Sequence, residues 1–380
     1  MMHTMRRFAA AFLIATCADP AFAAAHPGPA RQERDQAAVQ DAARAALLLN
    51  AEQALSAGPF SVMDKQRTAP SGDKHDFISL APYWWPDPAK PGGLPYIRRD
   101  GEVNPDSKRD TDDVPFGQMA GAVSTLAAAY RETRDERFAS RAAFLLRAWF
   151  LDPATRMNPN LDYGQGVPGI NTGRGAGIIA TRRLVDVVDA ARLLASSPAW
   201  AARDADGLRA WCSAYAAWLK TSRNGREEAD AGNNHGTWYE AQLTALLLYT
   251  GRAGEAKARF EAVKQRLASQ IEPDGRQPRE LARTRSWSYS VMNLHGWFTV
   301  ARLAGEAGID LWHYRTADGR SLRGALDYLV RFSGEGAAWP HQQITSVDQG
   351  EFVDLLDQAA RVWIDGGYGG LAARLRQRSK

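Results

Sequence analysis

The sequence predicts an all-α fold, and three observations carry the prediction. Apolar residues recur with a helical period of about 3.6 through most of the chain, the links between those stretches are short, and strand-like alternation is scarce. The periodic stretches are, in order, Gln36 to Leu55, Phe116 to Tyr130, Glu136 to Phe150, Ile178 to Ala195, Leu208 to Leu219, Thr237 to Tyr249, Glu255 to Ile271, Ser288 to Ala304, Leu322 to Phe332 and Phe352 to Ile364. Between them stand compact breakers such as Thr133-Arg134-Asp135, Ser197-Pro198 and Gly251-Arg252-Ala253-Gly254. Short links make neighbouring helices run antiparallel, so the units are helical hairpins. Arranged about an axis, such hairpins give an α/α-toroid, or incomplete α/α-barrel. No fixed-period sequence repeat marks a solenoid.

The chain has 380 residues and 45% hydrophobic content, ample for one large core. Its start reads as a leader: Arg6-Arg7, an apolar run from Phe8 to Ala18, then Ala21-Phe22-Ala23 as a small-residue cleavage site. The expected division is a signal peptide over 1–23, a flexible segment over 24–34, and a single toroid domain over 35–380. The expected location is periplasmic or secreted. The apolar run is too short to span a bilayer, and no later stretch reaches about eighteen apolar residues, so no membrane partner is expected. Loss of Cys17 with the leader leaves Cys212 alone and allows no intramolecular disulfide. The net charge of +4 carries no basic stripe interleaved with aromatics, which argues against nucleic acid. The seven histidines show neither HxxxH nor HxH spacing, so no metal and no cofactor is expected. No oligomeric state is assigned.

Two irregular stretches interrupt the helices. The first, residues 68–115, is rich in Pro, Gly and Asp and contains Pro82-Tyr83-Trp84-Trp85-Pro86. Loops of this length in a compact domain are usually lids or binding loops, and Trp84 and Trp85 are candidates to stack on sugar rings. The second, Met157 to Gly177, holds Asn171-Thr172-Gly173-Arg174-Gly175 just before a helix. Helix-terminal amides plus an arginine make a candidate carboxylate seat, with Asn171 and Arg174 as binding residues.

The chemistry concentrates in two further runs, Asn233-Asn234-His235-Gly236-Thr237-Trp238-Tyr239 and Glu280-Leu281-Ala282-Arg283-Thr284-Arg285-Ser286-Trp287-Ser288-Tyr289. They supply amide, imidazole, guanidinium and phenol, the groups needed to grip a carboxylate and move a proton beside it. A proton on the carbon next to a carboxylate is too weakly acidic to remove until that carboxylate is neutralised by preorganised donors. Asn234 and Arg283 fit as donors, the arginine bidentately. His235 can donate or act as base, and Tyr289 can be deprotonated among cations. Trp238 and Tyr239, just inside the same helix, are candidate substrate contacts. The Asn-Asn-His turn also has a purely structural reading, as the cap of a helix starting near Gly236.

These runs resemble the alginate-lyase-domain superfamily, polysaccharide lyase family five and its relative family thirty-eight. Asn233, Asn234 and His235 match the N-N-H run of family five, and Glu280, Leu281, Arg283 and Tyr289 match its E-L-x-R segment and following tyrosine. The resemblance implies that Asn234, His235, Arg283 and Tyr289 form the site. It further implies cleavage of an acidic polysaccharide, polymannuronate, alginate or glucuronan, by β-elimination. Tyr289 stands one residue closer to Arg283 than in family five, and the Pro-Tyr-Trp-Trp-Pro loop looks more like family thirty-eight, which keeps glucuronan open. In β-linked mannuronate and glucuronate, H5 and O4 lie on one face, so Tyr289 alone could take the proton and return it. Guluronate needs a base on the opposite face, for which His235 is available. Two other classes compete: a glycoside hydrolase, for which Glu240, Glu280 and Asp76 are the available carboxylates, and a non-catalytic sugar-binding protein.

Overall fold

The computed structural model describes residues 29–334 and 337–378. The predicted signal peptide lies outside the described residues. By its internal contacts the chain divides into two units, Met1–Ala46 and Leu47–Lys380. In the first, the described part is helix α1 (Pro29–Ala54), which continues into the second unit. Residues 29–34 fall within α1. Pro29 at the first helical position has its φ preset, and good helix formers follow it.

The second unit is an α/α-toroid of antiparallel helical pairs. Its helices are α2 (Asp113–Thr133), α3 (Glu136–Leu146), α4 (Leu184–Leu193), α5 (Ala202–Thr221), α6 (Arg223–Ala229), α7 (Asn234–Tyr249), α8 (Ala253–Gln270), α9 (Pro278–Leu281), α10 (Ser286–Glu306), α11 (Leu322–Val330), α12 (Gln349–Val362) and α13 (Tyr368–Arg378). The predicted helix over Ile178 to Ala195 is split. A 3-10 segment, Gly175–Thr181, precedes α4. Helix α5 starts earlier than the apolar spacing indicates, where the Asp204 carboxylate accepts the Ala201 amide at 3.1 Å.

Helix α7 is the central element and packs on α4, α5, α6, α8 and α10. It is buried around nearly its whole circumference, with the polar Asn234, Thr237, Glu240, Gln242 and Thr244 buried along with its apolar residues. A buried polar network registers it against its neighbours. The Gln270 side-chain oxygen accepts from Thr237 Oγ1 (2.9 Å), Asn293 Nδ2 (3.2 Å) and Trp297 Nε1 (2.9 Å). Its amide nitrogen donates to the Asn233 carbonyl at 3.0 Å. This network specifies one arrangement of α7, α8 and α10, with Asn293 Oδ1 as the one unpartnered side-chain oxygen among its residues.

The loop over 68–115 carries three of the four short strands: β1 (Ile78–Leu80), β2 (Trp84–Trp85) and β3 (Ile97–Arg98). Strand β1 pairs in parallel with β4 (Tyr163–Gly166), so the two irregular stretches hold each other, while β2 and β3 form an antiparallel pair. The loop is pinned at its base: Lys65 Nζ lies 3.0 Å from Asp112 Oδ2, both side chains almost wholly buried. Burial pushes the Asp112 carboxyl up to about 6 against the pull of Lys65. Gly164 and Gly177 meet backbone to backbone, and a Cβ on Gly177 would lie 2.3 Å from the Gly164 carbonyl carbon. No helix among the described residues is long and apolar enough to cross a membrane.

Candidate active site

The Asn233-Asn234-His235 turn opens α7, and Asn233 does the capping: its side chain accepts the His235 amide at 3.2 Å. The approach to the turn is fixed by Arg266, which donates to the Ala231 carbonyl at 2.6 Å. Gly236 is required there, because a Cβ would lie 2.0 Å from the same carbonyl oxygen. Asn234 is 1% exposed. Its backbone amide and its side-chain Nδ2 each donate to the Glu280 carboxylate at 2.7 Å, and its Oδ1 has no partner. Glu280, the acidic residue of the second run, is thus the group that orients Asn234. Burial raises its carboxyl, while the hydrogen bonds of Asn234 and the charges of Arg283 and His235 pull it down.

His235 is half-buried, and its Nδ1 lies 2.7 Å from Oε1 of Glu228, itself 2% exposed. A carboxylate can only accept, so Nδ1 carries the proton in the neutral ring and Nε2 keeps a lone pair. Glu228 drew no notice in the sequence. It lies on α6, seven residues before His235, and nothing local marks it.

Arg283 is fastened to the lid. Its Nε lies 3.1 and 3.0 Å from the two Asp100 carboxylate oxygens, and its Nη2 lies 2.7 Å from Oδ1. Thr284 adds bonds from its amide and hydroxyl to the same aspartate. Burial would raise the Asp100 carboxyl, but these partners hold it well below the usual carboxylate range. The guanidinium also stacks on Tyr289, 3.9 Å from the ring centre. The expected carboxylate clamp is thus engaged by a carboxylate of the protein's own lid.

Tyr289 is 8% exposed and donates its hydroxyl to that of Tyr83 at 2.5 Å. Burial, reinforced by Tyr83, pushes its phenol above the ordinary value, against the lowering charge of Arg283. Burial thus outweighs the single stacked guanidinium, which by itself favours the phenolate.

The second irregular stretch meets this cluster. Arg174 feels Glu228 and Glu227 on one side and Arg98 on the other, and donates to Gln165 Oε1 at 2.8 Å. The amide seat expected beside it is taken: Gly175 N donates to Glu227 Oε2 at 3.1 Å, and the segment is a 3-10 helix. Asn171 is exposed and closes its own turn by accepting the Val167 amide at 3.2 Å. Tyr239, expected as a substrate contact, is a core residue. It is 3% exposed, donates to the Leu219 carbonyl at 3.2 Å, and is pushed up to about 12 by burial. Its place next to Trp238 turns it about 100° round the helix from that residue.

Beside Tyr289 opens a cavity of about 830 Å³. One face of α10 runs along it, through Arg285, Ser288, Tyr289, Met292, His295, Thr299 and Arg302, while Trp238 of α7, α4 and α12 supply the other walls. From Tyr289 to Arg302 this face is about 20 Å long. Tyr83 is the lid residue that lines the cavity; Trp84 and Trp85 do not. Trp84 stands under Arg174, 5.9 Å away, and Trp85 donates its indole N–H to the Glu102 carbonyl at 3.0 Å. Replacing both tryptophans with Ala is expected to raise KM about tenfold through the lid, at about 1.4 kcal/mol per decade, with helical content unchanged. Unchanged kinetics would show that the rings serve packing alone. Arg285 is on the cavity wall. Glu240, Glu280 and Asp76, the carboxylates available to a hydrolase, do not line it, and neither do Asn234, His235 and Arg283; the carboxylates on its wall are Asp186, Asp189, Glu351, Asp354 and Asp357.

The sequence model of the family described as alginate lyase matches residues 61–339. The chain is similar to the crystal structure of an alginate lyase from Bacteroides ovatus, with 42% identity and a TM-score of 0.84 over 87% of this chain and 89% of that one. It shares its fold with alginate lyase A1-III from Sphingomonas species A1, at 18% identity and a TM-score of 0.54 over 84% of each chain. A histidine-to-alanine variant of alginate lyase A1-III, complexed with a tetrasaccharide, gives 17% identity and a TM-score of 0.57 over 83% of this chain and 80% of that one. No curated protein matches the chain.

Proposed function

The chain belongs to the alginate lyase family and is a polysaccharide lyase, and from that premise we propose that it cleaves β-1,4-linked uronic-acid chains of alginate by β-elimination around Tyr289. The observation that carries this reading is the joint placement of a buried phenol, a guanidinium stacked on it and a carboxylate-oriented histidine in one charged neighbourhood. In the elimination, a base removes H5, the electron pair forms the C4–C5 double bond, and the C4–O4 bond breaks as O4 takes a proton. The protonated Tyr289 is the donor to O4. On mannuronate, or on glucuronate as the second candidate substrate, its phenolate is also the base, on the same face. On guluronate the base is His235, through the Nε2 lone pair that Glu228 secures. Arg283 and Asn234 stabilise the developing charge, with the substrate carboxylate replacing Asp100 at Arg283. Export to the periplasm, from the leader in residues 1–23, suits a polymer too large for the cytoplasm.

The test is the ultraviolet absorbance of the new conjugated double bond, followed over polymannuronate, polyguluronate and glucuronan. Product from polymannuronate is expected. Binding of all three polymers with no rise in absorbance would overturn the lyase reading, and product from glucuronan alone would replace alginate as the substrate.

A further inference from the structure

Four arginines near Tyr289 have different states of compensation. Arg283 is neutralised by Asp100 at 2.7 Å, Arg183 pairs with Asp186 at 3.1 Å, and Arg285 has a neutral partner, Thr345 Oγ1, at 3.1 Å. Arg182 differs. It is half-buried on the cavity wall, and no carboxylate among the described residues lies within ion-pair reach of its guanidinium. Its one close partner is the Trp238 ring, with Cζ 6.0 Å from the centroid. Withdrawal from water lowers the arginine's affinity for its proton, with Glu351 and Asp186 opposing from farther off. A guanidinium withdrawn from water with no carboxylate in contact is costly, and such a group in a cavity is open to an anion, even with Asp186, Asp189, Glu351, Asp354 and Asp357 farther along the same wall.

Its position along the groove is set by Trp238, whose indole N–H donates to the Met292 carbonyl at 3.2 Å. Met292 follows Tyr289 by three residues, so Trp238, with Arg182 over its ring, meets α10 about one helical turn beyond Tyr289. We infer that Arg182 is a second carboxylate seat, which receives the uronate next to the one that loses its proton. It rests on the lyase reading above, and its ligand is the carboxylate of a uronic-acid unit in the chain being cut. Arg182 touches no reacting atom; it positions the polymer.

The experiment is calorimetric titration of tetramannuronate into the wild-type protein, Arg182→Gln and Arg182→Lys, with steady-state kinetics on the same ligand and on polymannuronate. Loss of a charge-assisted, two-pronged hydrogen bond is expected to weaken binding by about 10- to 100-fold in Arg182→Gln. KM should rise by a similar factor while kcat stays within a few-fold. Arg182→Lys should fall between the two, since it keeps the charge and loses the fork. The affinity lost in Arg182→Gln should shrink as salt is raised, because the seat acts through charge. Equal affinities in folded wild-type and Arg182→Gln proteins would overturn the seat, as would a fall in kcat with KM unchanged. Failure of the wild-type protein to bind tetramannuronate would overturn it too. Binding that depends on Arg182 without ultraviolet product would leave the seat standing and remove the lyase reading instead.

Discussion

Tyr289→Phe is expected to lower kcat by about 10⁴-fold, the upper end of what general acid–base assistance supplies, because one hydroxyl serves both proton transfers. The ring should stay in place. Its stacking on Arg283 at 3.9 Å does not use the hydroxyl, and circular dichroism should match wild type. The bond lost is the one to Tyr83, which lies on the lid and cannot replace the proton at O4. Polymannuronate and polyguluronate should both be affected, the latter less if His235 takes over as base. Near-normal turnover in a folded Tyr289→Phe enzyme would refute the assignment.

Arg283→Ala carries the second large effect, a fall in kcat of about 10²–10³, the range found when one donor to a developing negative charge is removed. It also has a signature in pH. Arg283 lowers the Tyr289 phenol against the upward push of burial, so its removal lets that pKa rise further. If the phenolate is the base, the limb of kcat/KM that climbs with pH should move to higher pH in Arg283→Ala. Arg283→Lys should restore part of the rate, because an ammonium keeps the charge but cannot meet a carboxylate with two parallel N–H groups. Arg285→Ala should behave differently, raising KM more than it lowers kcat, since the Arg285 side chain lines the groove and donates to Thr345 Oγ1, while the guanidinium stacked on the Tyr289 ring is that of Arg283. A limb that stays fixed in Arg283→Ala would mean that Tyr289 acts only as the acid.

The fold class was legible because helical periodicity is a local property: the apolar spacing from Thr237 to Tyr249 falls within the observed α7. The site was legible where its residues stand together in the chain, as in Asn233-Asn234-His235 and Glu280 to Tyr289. What escaped was the partner of each group. Asp100 reaches Arg283 across 183 residues, and a lone aspartate in a Pro- and Gly-rich loop gives no sign of its destination. Glu228 behind His235 is a buried carboxylate outside any motif, and Glu280, though it stands in the E-L-x-R run, gives no sign there that it will hold Asn234. Arg182 and Arg183 are adjacent and both line the cavity, and only the ion pair of Arg183 with Asp186 tells the two guanidinium groups apart. The opposite error, at Tyr239, has a related cause. Neighbours on a helix point in different directions, and the side facing the site was set by tertiary packing.

The way the Asn234 amide is held has a consequence for motion. That N–H is donated to a carboxylate only 1% exposed, and the carbonyl before it is bound by the network on Gln270. Exchange of this amide with deuterium should therefore be among the slowest in the molecule, proceeding only through cooperative opening of the core rather than by fraying of a helix end. Active-site turns are commonly drawn from the least protected parts of a protein; this one belongs to the most protected. Plasticity then falls to the lid and the groove rim, where new substrates can be accommodated without loosening the groups that carry the proton.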